Sequence, residues 1–388
     1  MKIIVSEFRK IPVKTALILL PIAILGLTPR LWLFSIFITI VYWLIGLYSC
    51  SINKWHFAID RYVWTYVLIL IFFLCLSILF IPPNNNIWYQ KILYFIFVIL
   101  PFSILISFLF KKPEDIRYVL WGYTITGLII AALSISFSTR YILGAHRYVW
   151  AGNFCAISSV IILQFWIIRK KILAFVLALI DIWGILVIAA RQSVVIFIFG
   201  FIVICFFNLF GKKKEFTQIL ILLLVIGNVF YWWEDIIHMP VMSLILNRIE
   251  SLQTYHFIPL GDRYLIYDYA WKLFLNHPII GGKEFGYFDS GQGIYSYPHN
   301  IILEVLGDFG IIGATILFAP IVVAGFITVR QWFTQSDQSF SHLLILFLCF
   351  LIIANLSGDL IGYRGHWIFA ILMLRFASLS KRNKETGI

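Results

Sequence analysis

Apolar residues fill this chain in long, nearly unbroken runs, without the three-and-four spacing of a half-buried helix or the alternation of a half-buried strand. The runs are interrupted by short clusters of Lys and Arg, by stretches such as Pro82-Pro83-Asn84-Asn85-Asn86, and by one long glycine-punctuated segment from about Trp232 to Pro298. A helix needs about 20 mostly apolar residues to cross roughly 30 Å of hydrocarbon. Division of the runs on that basis predicts twelve spanning helices, centred near Leu20, Ile40, Leu70, Val98, Thr126, Val160, Ala178, Phe199, Val225, Ala314, Leu348 and Ile371. As one helix, residues 171–210 would be about 60 Å long at 1.5 Å per residue, twice the hydrocarbon thickness, so a hairpin with Arg191 at its tip is expected.

The predicted fold class is an all-α integral membrane protein: a single polytopic domain over residues 1–388, carrying a long outer loop or lid, 232–298, between spans nine and ten. Orientation follows from the cations, which collect in cytoplasmic loops. With the N-terminus inside, Lys54 and Arg61, Lys111 to Arg117, Arg169 to Lys171, Lys212 to Lys214, Arg330 and Lys381 to Lys384 share the cytoplasmic side, and both termini are cytoplasmic. The outer face then carries the loops near Pro29-Arg30, Pro82 to Asn86, Arg140 to Trp150 and Arg191, the lid, and the turn at Gly358-Asp359. Lys2, Arg9, Lys10 and Lys14 precede an apolar run as in a signal peptide, but no small-residue cleavage site is evident, and a retained first helix is expected.

Composition agrees with this reading. At 62% hydrophobic and 12% charged residues, with a mean hydropathy of +0.95, the chain cannot hide its apolar surface in one water-soluble core. The net charge of +12 comes from clusters set between apolar runs, which fits cytoplasmic loops and argues against nucleic acid as a partner. Cys50, Cys75, Cys155, Cys205 and Cys349 are scattered singly through apolar segments, a pattern of packing rather than of disulfides or metal.

The residues that could carry chemistry gather on the outer face. In Tyr297-Pro298-His299-Asn300 the proline marks the start of the tenth span, which puts a titratable histidine at the membrane boundary. Asn300, Glu304 and Asp308 follow at i, i+4 and i+8 and draw one polar stripe down an otherwise apolar helix. Carboxylates there call for a wet cavity, cationic partners or a proton, and Arg191 and Arg263 are the candidate cations. Gly307, Gly310 and Gly313 suit close helix approach. Asp262 is placed to cap a helix from Arg263 to about Asn276, along which Tyr264, Tyr267, Trp271 and Phe274 form an aromatic stripe. Asp181, mid-span, needs an internal partner or a proton. No HExxH, paired-histidine or DxD pattern suggests a metal, and no Walker loop or GxGxxG suggests a nucleotide, so no cofactor is expected.

His299-Asn300, nine residues, Gly310, two residues and Gly313 resemble the HN-x9-GxxG signature of the O-antigen ligase family, which includes related O-antigen and capsule polymerases. Gly261-Asp262-Arg263, an aromatic helix, Asn276-His277-Pro278 and a glycine-rich turn look like the segment that precedes that signature. Ala190-Arg191-Gln192-Ser193 is similar to the family's hairpin arginine, and Asn355 to Asp359 with Arg364 to its late Asp/Arg turn. The resemblance covers about Gly152 to Arg375; Gly152-Asn153-Phe154-Cys155, read as an early outer loop, departs from the common G-N-P-N form.

The resemblance implies a donor glycan on undecaprenyl diphosphate, presented at the periplasmic face of the bacterial inner membrane. It implies inverting, metal-independent transfer to an acceptor hydroxyl. In these terms His299 is base or orienting group, Arg191 and Arg263 take the diphosphate, Arg147, Arg364 and Asn300 are further binding candidates, and Glu304, Asp308 and Asp359 support them. The acceptor is either another lipid-linked repeat (polymerase) or lipid A core (ligase); Arg140 and Arg147, a second basic outer loop, lean towards the polymerase. A lipid-linked glycan flippase, with Asp181, Glu304 and Asp308 lining a path, is the alternative of another class.

Overall fold

The computed structural model describes residues 11–26, 37–42, 44–45, 61–78, 92–110, 112–137, 148–188, 190–210, 258–282, 298–335, 338–357 and 365–386. The span expected at Val225, most of the lid and the loops holding Arg30, Asn84, Arg140, Arg147, Asp359 and Arg364 lie outside them. Among the described residues the fold is all helical: α1 Ile11–Gly26, α2 Arg61–Ile78, α3 Leu100–Leu109, α4 Ile116–Ser136, α5 Tyr148–Arg169, α6 Ile172–Ile188, α7 Arg191–Phe210, α8 Ile258–Asn276, α9 Ile301–Gln335, α10 Gln338–Ser357 and α11 Gly365–Thr386. Each predicted centre other than Val225 falls inside a helical stretch.

Among the described residues, five helical segments are long and apolar enough to cross a membrane, 92–109, 113–136, 149–169, 301–334 and 338–356, and shorter apolar helices accompany them. Their outward faces are apolar as well: Phe72, Phe97, Ile129, Ile198, Val322 and Phe326 are each at least half exposed. Such a surface aggregates in water and is stable in lipid, so the chain is membrane-embedded. Several side-chain hydroxyls and amides bond back within their own helices, as suits a lipid environment: Ser103 Oγ donates to the Ile99 carbonyl (2.7 Å), Thr328 Oγ1 to Ala324 (2.7 Å) and Asn355 Nδ2 to Leu351 (2.8 Å).

The chain divides into two compact units, one of residues 1–119 with 261–388 and one of 120–260. In the first, α11 is the central element, packed on α2, α3, α9 and α10. Its aromatic side chains make the core: Trp367 meets Phe95 edge-on (5.3 Å), Phe376 meets Phe110 (5.7 Å) and Phe369 meets Phe350 (5.4 Å). A π-helical turn, Phe95–Ile99, leads into α3. Pro101 beside it has no N–H to return to the preceding turn, and the wider turn absorbs that gap.

In the second unit α5 is central, with α6 and α7 both packed on it. The 171–210 run does fold back as predicted, with α6 ending at Ile188 and α7 starting at Arg191. Small residues let the helices close: a Cβ on Gly127 would run into Ser158, one on Gly152 into Ser193 and one on Gly184 into Ala131. Gly152-Asn153-Phe154-Cys155 is not a loop, because all four lie within α5. Without the proline of the G-N-P-N form, nothing stops the helix from starting at Tyr148.

Candidate functional site around His299

The tenth span does not begin at Pro298. Asn300 is the cap: its Oδ1 accepts from the backbone N–H of Ile302 and of Leu303, both at 3.0 Å. His299 stands just before it with φ at 53°, a left-handed conformation that a helix cannot contain and that asparagine or glycine tolerates better than histidine. Pro298 is buried, while His299 and Asn300 are half-buried.

Nor is the following helix continuous. Gly310, at φ 62° and ψ −163°, breaks α9 between residues 309 and 311, in a region of backbone space essentially reserved for glycine. Orphaned groups at the break are taken up by the segment after α8. The Ile311 N–H donates to the Pro278 carbonyl (2.8 Å), the Ile312 N–H to Ile279 (3.1 Å), and the Gly307 carbonyl accepts from Gly282 (2.8 Å). The two strands of backbone touch because both sides are glycine. A Cβ on Gly281 (φ 73°) would collide with the Asp308 carbonyl, and one on Gly310 would lie 2.6 Å from the Gly281 nitrogen and the Ile279 carbonyl.

The expected stripe of Asn300, Glu304 and Asp308 is therefore confined to a short helix, 301–309, and the run from 311 to 335 continues beyond the break. At 1.5 Å per residue those 25 residues span about 37 Å, so the membrane crossing needs no carboxylate within it. Glu304 and Asp308 are 4% and 3% exposed. With Pro298, Leu303 and Gly307 they line a narrow groove closed on its other side by Ile266, Tyr269, Ala270 and Leu273 of α8. Of the three predicted glycines, Gly307 serves close helix approach, since its Cβ position lies 3.2 Å from the Ala270 carbonyl. Gly310 serves the break, and Gly313 gives room to the rings of Phe309 and Phe73, whose centroids are 5.2 Å apart.

α8 begins at Ile258, so Asp262 lies inside the helix and does not cap it. Pro259 in the first turn lets the helix start there. The helix buries Ile266, Ala270 and Leu273. Of the predicted aromatic stripe, Tyr267 and Phe274 are half-buried, while Trp271 is 45% exposed and packed on Phe274 (5.3 Å).

Of the predicted site residues, Glu304 and Asp308 line one groove, and His299 and Asn300 stand at the start of the short helix that carries them. Arg191 is the first residue of α7 in the second unit, and Arg263 lies in the first turns of α8; the side chains of both are outside the described residues, as are Arg147, Arg364 and Asp359 altogether. Sequence reasoning missed the partnership of 277–282 with 307–312. The signal was present in Gly281-Gly282 and Gly310, glycines in two segments that each interrupt an apolar pattern. No protein-family model matches this chain, and comparison with curated proteins finds no relative.

Proposed function

We propose that the chain is a glycosyltransferase of bacterial surface-polysaccharide assembly, of the O-antigen ligase and polymerase type, working at the periplasmic face of the inner membrane with both termini in the cytoplasm. The observation that carries this reading is the interlock of two separate motif segments. His299-Asn300 and Gly310 belong to one motif and Asn276-His277-Pro278 with Gly281-Gly282 to the other, yet they form one local structure through shared backbone hydrogen bonds. The interlock closes the far end of a short helix, 301–309, that carries two buried carboxylates and starts just after a histidine in a left-handed turn.

In the proposed reaction the acceptor hydroxyl oxygen attacks the anomeric carbon of the donor. The carbon–oxygen bond to the diphosphate breaks, undecaprenyl diphosphate leaves with the electron pair, and the hydroxyl proton passes to His299 or is directed by it. Arg191 and Arg263, with Arg147 and Arg364, would screen the charge that develops on the diphosphate, as cationic donors do for phosphoryl leaving groups. Glu304, Asp308 and Asp359 would orient those cations or the imidazole.

The test is transfer by the purified protein in proteoliposomes supplied with undecaprenyl-diphosphate-linked oligosaccharide. Product glycan should form, and His299→Ala at equal abundance should lower the rate on the order of a hundredfold or more. Full transfer by that variant overturns the mechanism, and lipid movement without product overturns the transferase reading in favour of a flippase. A deletion strain separates the acceptors, where a lean to the polymerase rests on Arg140 and Arg147. Loss of a polymerase leaves a single repeat on the core, whereas loss of a ligase leaves long chains on the carrier lipid.

A further inference from the structure

The second unit buries an acid that the proposed reaction does not use. Asp181 sits in the middle of α6, nine residues or roughly 13 Å of helix from Ala190 at the hairpin tip. It has no exposed surface, and neither Oδ1 nor Oδ2 has a hydrogen-bond partner among the described residues. The polar groups that act on it are Ser158 and Cys155, one turn apart on the packed face of α5. Both have already committed their hydrogens elsewhere: Ser158 Oγ donates to the Thr124 carbonyl (3.3 Å), and Cys155 Sγ points its hydrogen at the Gly127 carbonyl (3.6 Å).

That donor–acceptor accounting decides the state of the carboxyl. An ionised carboxylate, an acceptor at every position, finds no donor placed to serve it among the described residues, since neither oxygen is hydrogen-bonded. A protonated carboxyl takes no net charge into that packing. Cys155 is the titratable side chain facing it from α5, while α4 meets α6 through Ala131 and its Tyr123 is stacked on Phe154 of α5 (5.6 Å). A metal cation would need several oxygens and room for them. Here Gly184 lies so close to Ala131 that a Cβ would fall within 2.8 Å of the Ala131 Cα.

We propose that Asp181 is a proton-binding site: a neutral carboxylic acid enclosed in the α4–α5–α6 packing. It stands apart from the glycan-transfer reading and does not depend on it. Because asparagine has the shape and charge of the neutral acid, Asp181→Asn is expected to fold and to keep whatever transfer the wild type shows.

Infrared spectra of the purified full chain, wild type against Asp181→Asn, test the assignment without an activity. The wild type should carry a carboxylic-acid carbonyl band at neutral pH that shifts down in deuterium oxide and is lost in the variant. Replacing sodium by choline should leave it unchanged. Wild-type and variant spectra that do not differ in the acid region show an ionised group and overturn the proposal. A band that appears only when sodium is withdrawn overturns it too, in favour of a metal cation.

Discussion

The break at Gly310 can be tested by adding one methyl group. In Gly310→Ala the new Cβ would lie 2.6 Å from three backbone atoms, the Gly281 nitrogen and the Ile279 carbon and oxygen, none of which can rotate away. The chain has two ways out. It can keep φ 62°, ψ −163° and accept strain of about 1–3 kcal/mol together with the overlap. Alternatively it can straighten and release the 277–282 segment, losing the bonds Gly282 to Gly307, Ile311 to Pro278 and Ile312 to Ile279, at roughly 1 kcal/mol net each. Both routes come to about 3 kcal/mol, or on the order of a hundredfold in the docking equilibrium. Hydrogen–deuterium exchange in lipid nanodiscs reads this directly, since the amides of Gly282, Ile311 and Ile312 are the ones protected by docking. The control is Gly325→Ala in the same helix, where a Cβ meets nothing within 4 Å and alanine is the better helix former. Gly281→Ala should reproduce the effect, and the double variant should be little worse than either alone because both break one contact. Exchange in Gly310→Ala equal to that of Gly325→Ala would refute the reasoning.

Three further outcomes are expected. Asn300→Ala removes the acceptor for the Ile302 and Leu303 amides and should cost about 1 kcal/mol in thermal or denaturant stability, largely restored by Asn300→Asp or Asn300→Ser; equal losses in all three would point away from capping. His299→Gly relieves the left-handed backbone at φ 53° while deleting the imidazole, so stability should hold or rise by a few tenths of a kcal/mol as glycan transfer is lost. Transfer that survives in the glycine variant would reduce the position to a turn. Gly184→Ala pushes a methyl onto the backbone of Ala131 and should destabilise by about 1–3 kcal/mol, more than Gly200→Ala, whose Cβ has the side chain of Val160 as its nearest neighbour; a melting curve like wild type for Gly184→Ala would refute the tight α4–α6 contact.

The sequence carried the helices well and their interruptions poorly, for one physical reason. Apolar run length reports burial in lipid, and the α6–α7 turn was legible because 40 apolar residues cannot cross one bilayer as a single helix. Caps and breaks depend instead on the fate of a few backbone groups, which a run of Ile and Leu does not reveal. Pro298 looked like a helix start, but with His299 left-handed the first useful acceptor was the Asn300 amide oxygen. Asp262 looked like a cap, yet Pro259 opens the helix one turn earlier. Gly310 looked like a packing residue, and its second role depends on a segment about thirty residues upstream whose carbonyls complete the break. The expected coming together of His299 with Arg191, Arg263, Arg147 and Arg364 falls on side chains outside the described residues.

The break also answers why two carboxylates can sit among so many Ile, Leu and Phe residues. On one straight helix, Asp308 would be carried about 10 Å below Ile301 along the membrane-crossing run, where an ionised carboxylate costs about 2.5–3.5 kcal/mol. Interrupting the helix at Gly310 keeps Glu304 and Asp308 on a separate short element, and Gly307 lets the α8 backbone come close enough to cover them. The acids are thus enclosed by protein instead of lipid, and the lipid-facing positions fall to residues such as Ile311, Ile312 and Val322 beyond the break. Glycine is what makes the arrangement possible at each step: at 307 for the approach, at 310 and 281 for the crossing of backbones, and at 313 for the packing of Phe309 against Phe73. A histidine that stands just ahead of that element in a left-handed turn is positioned by the backbone itself.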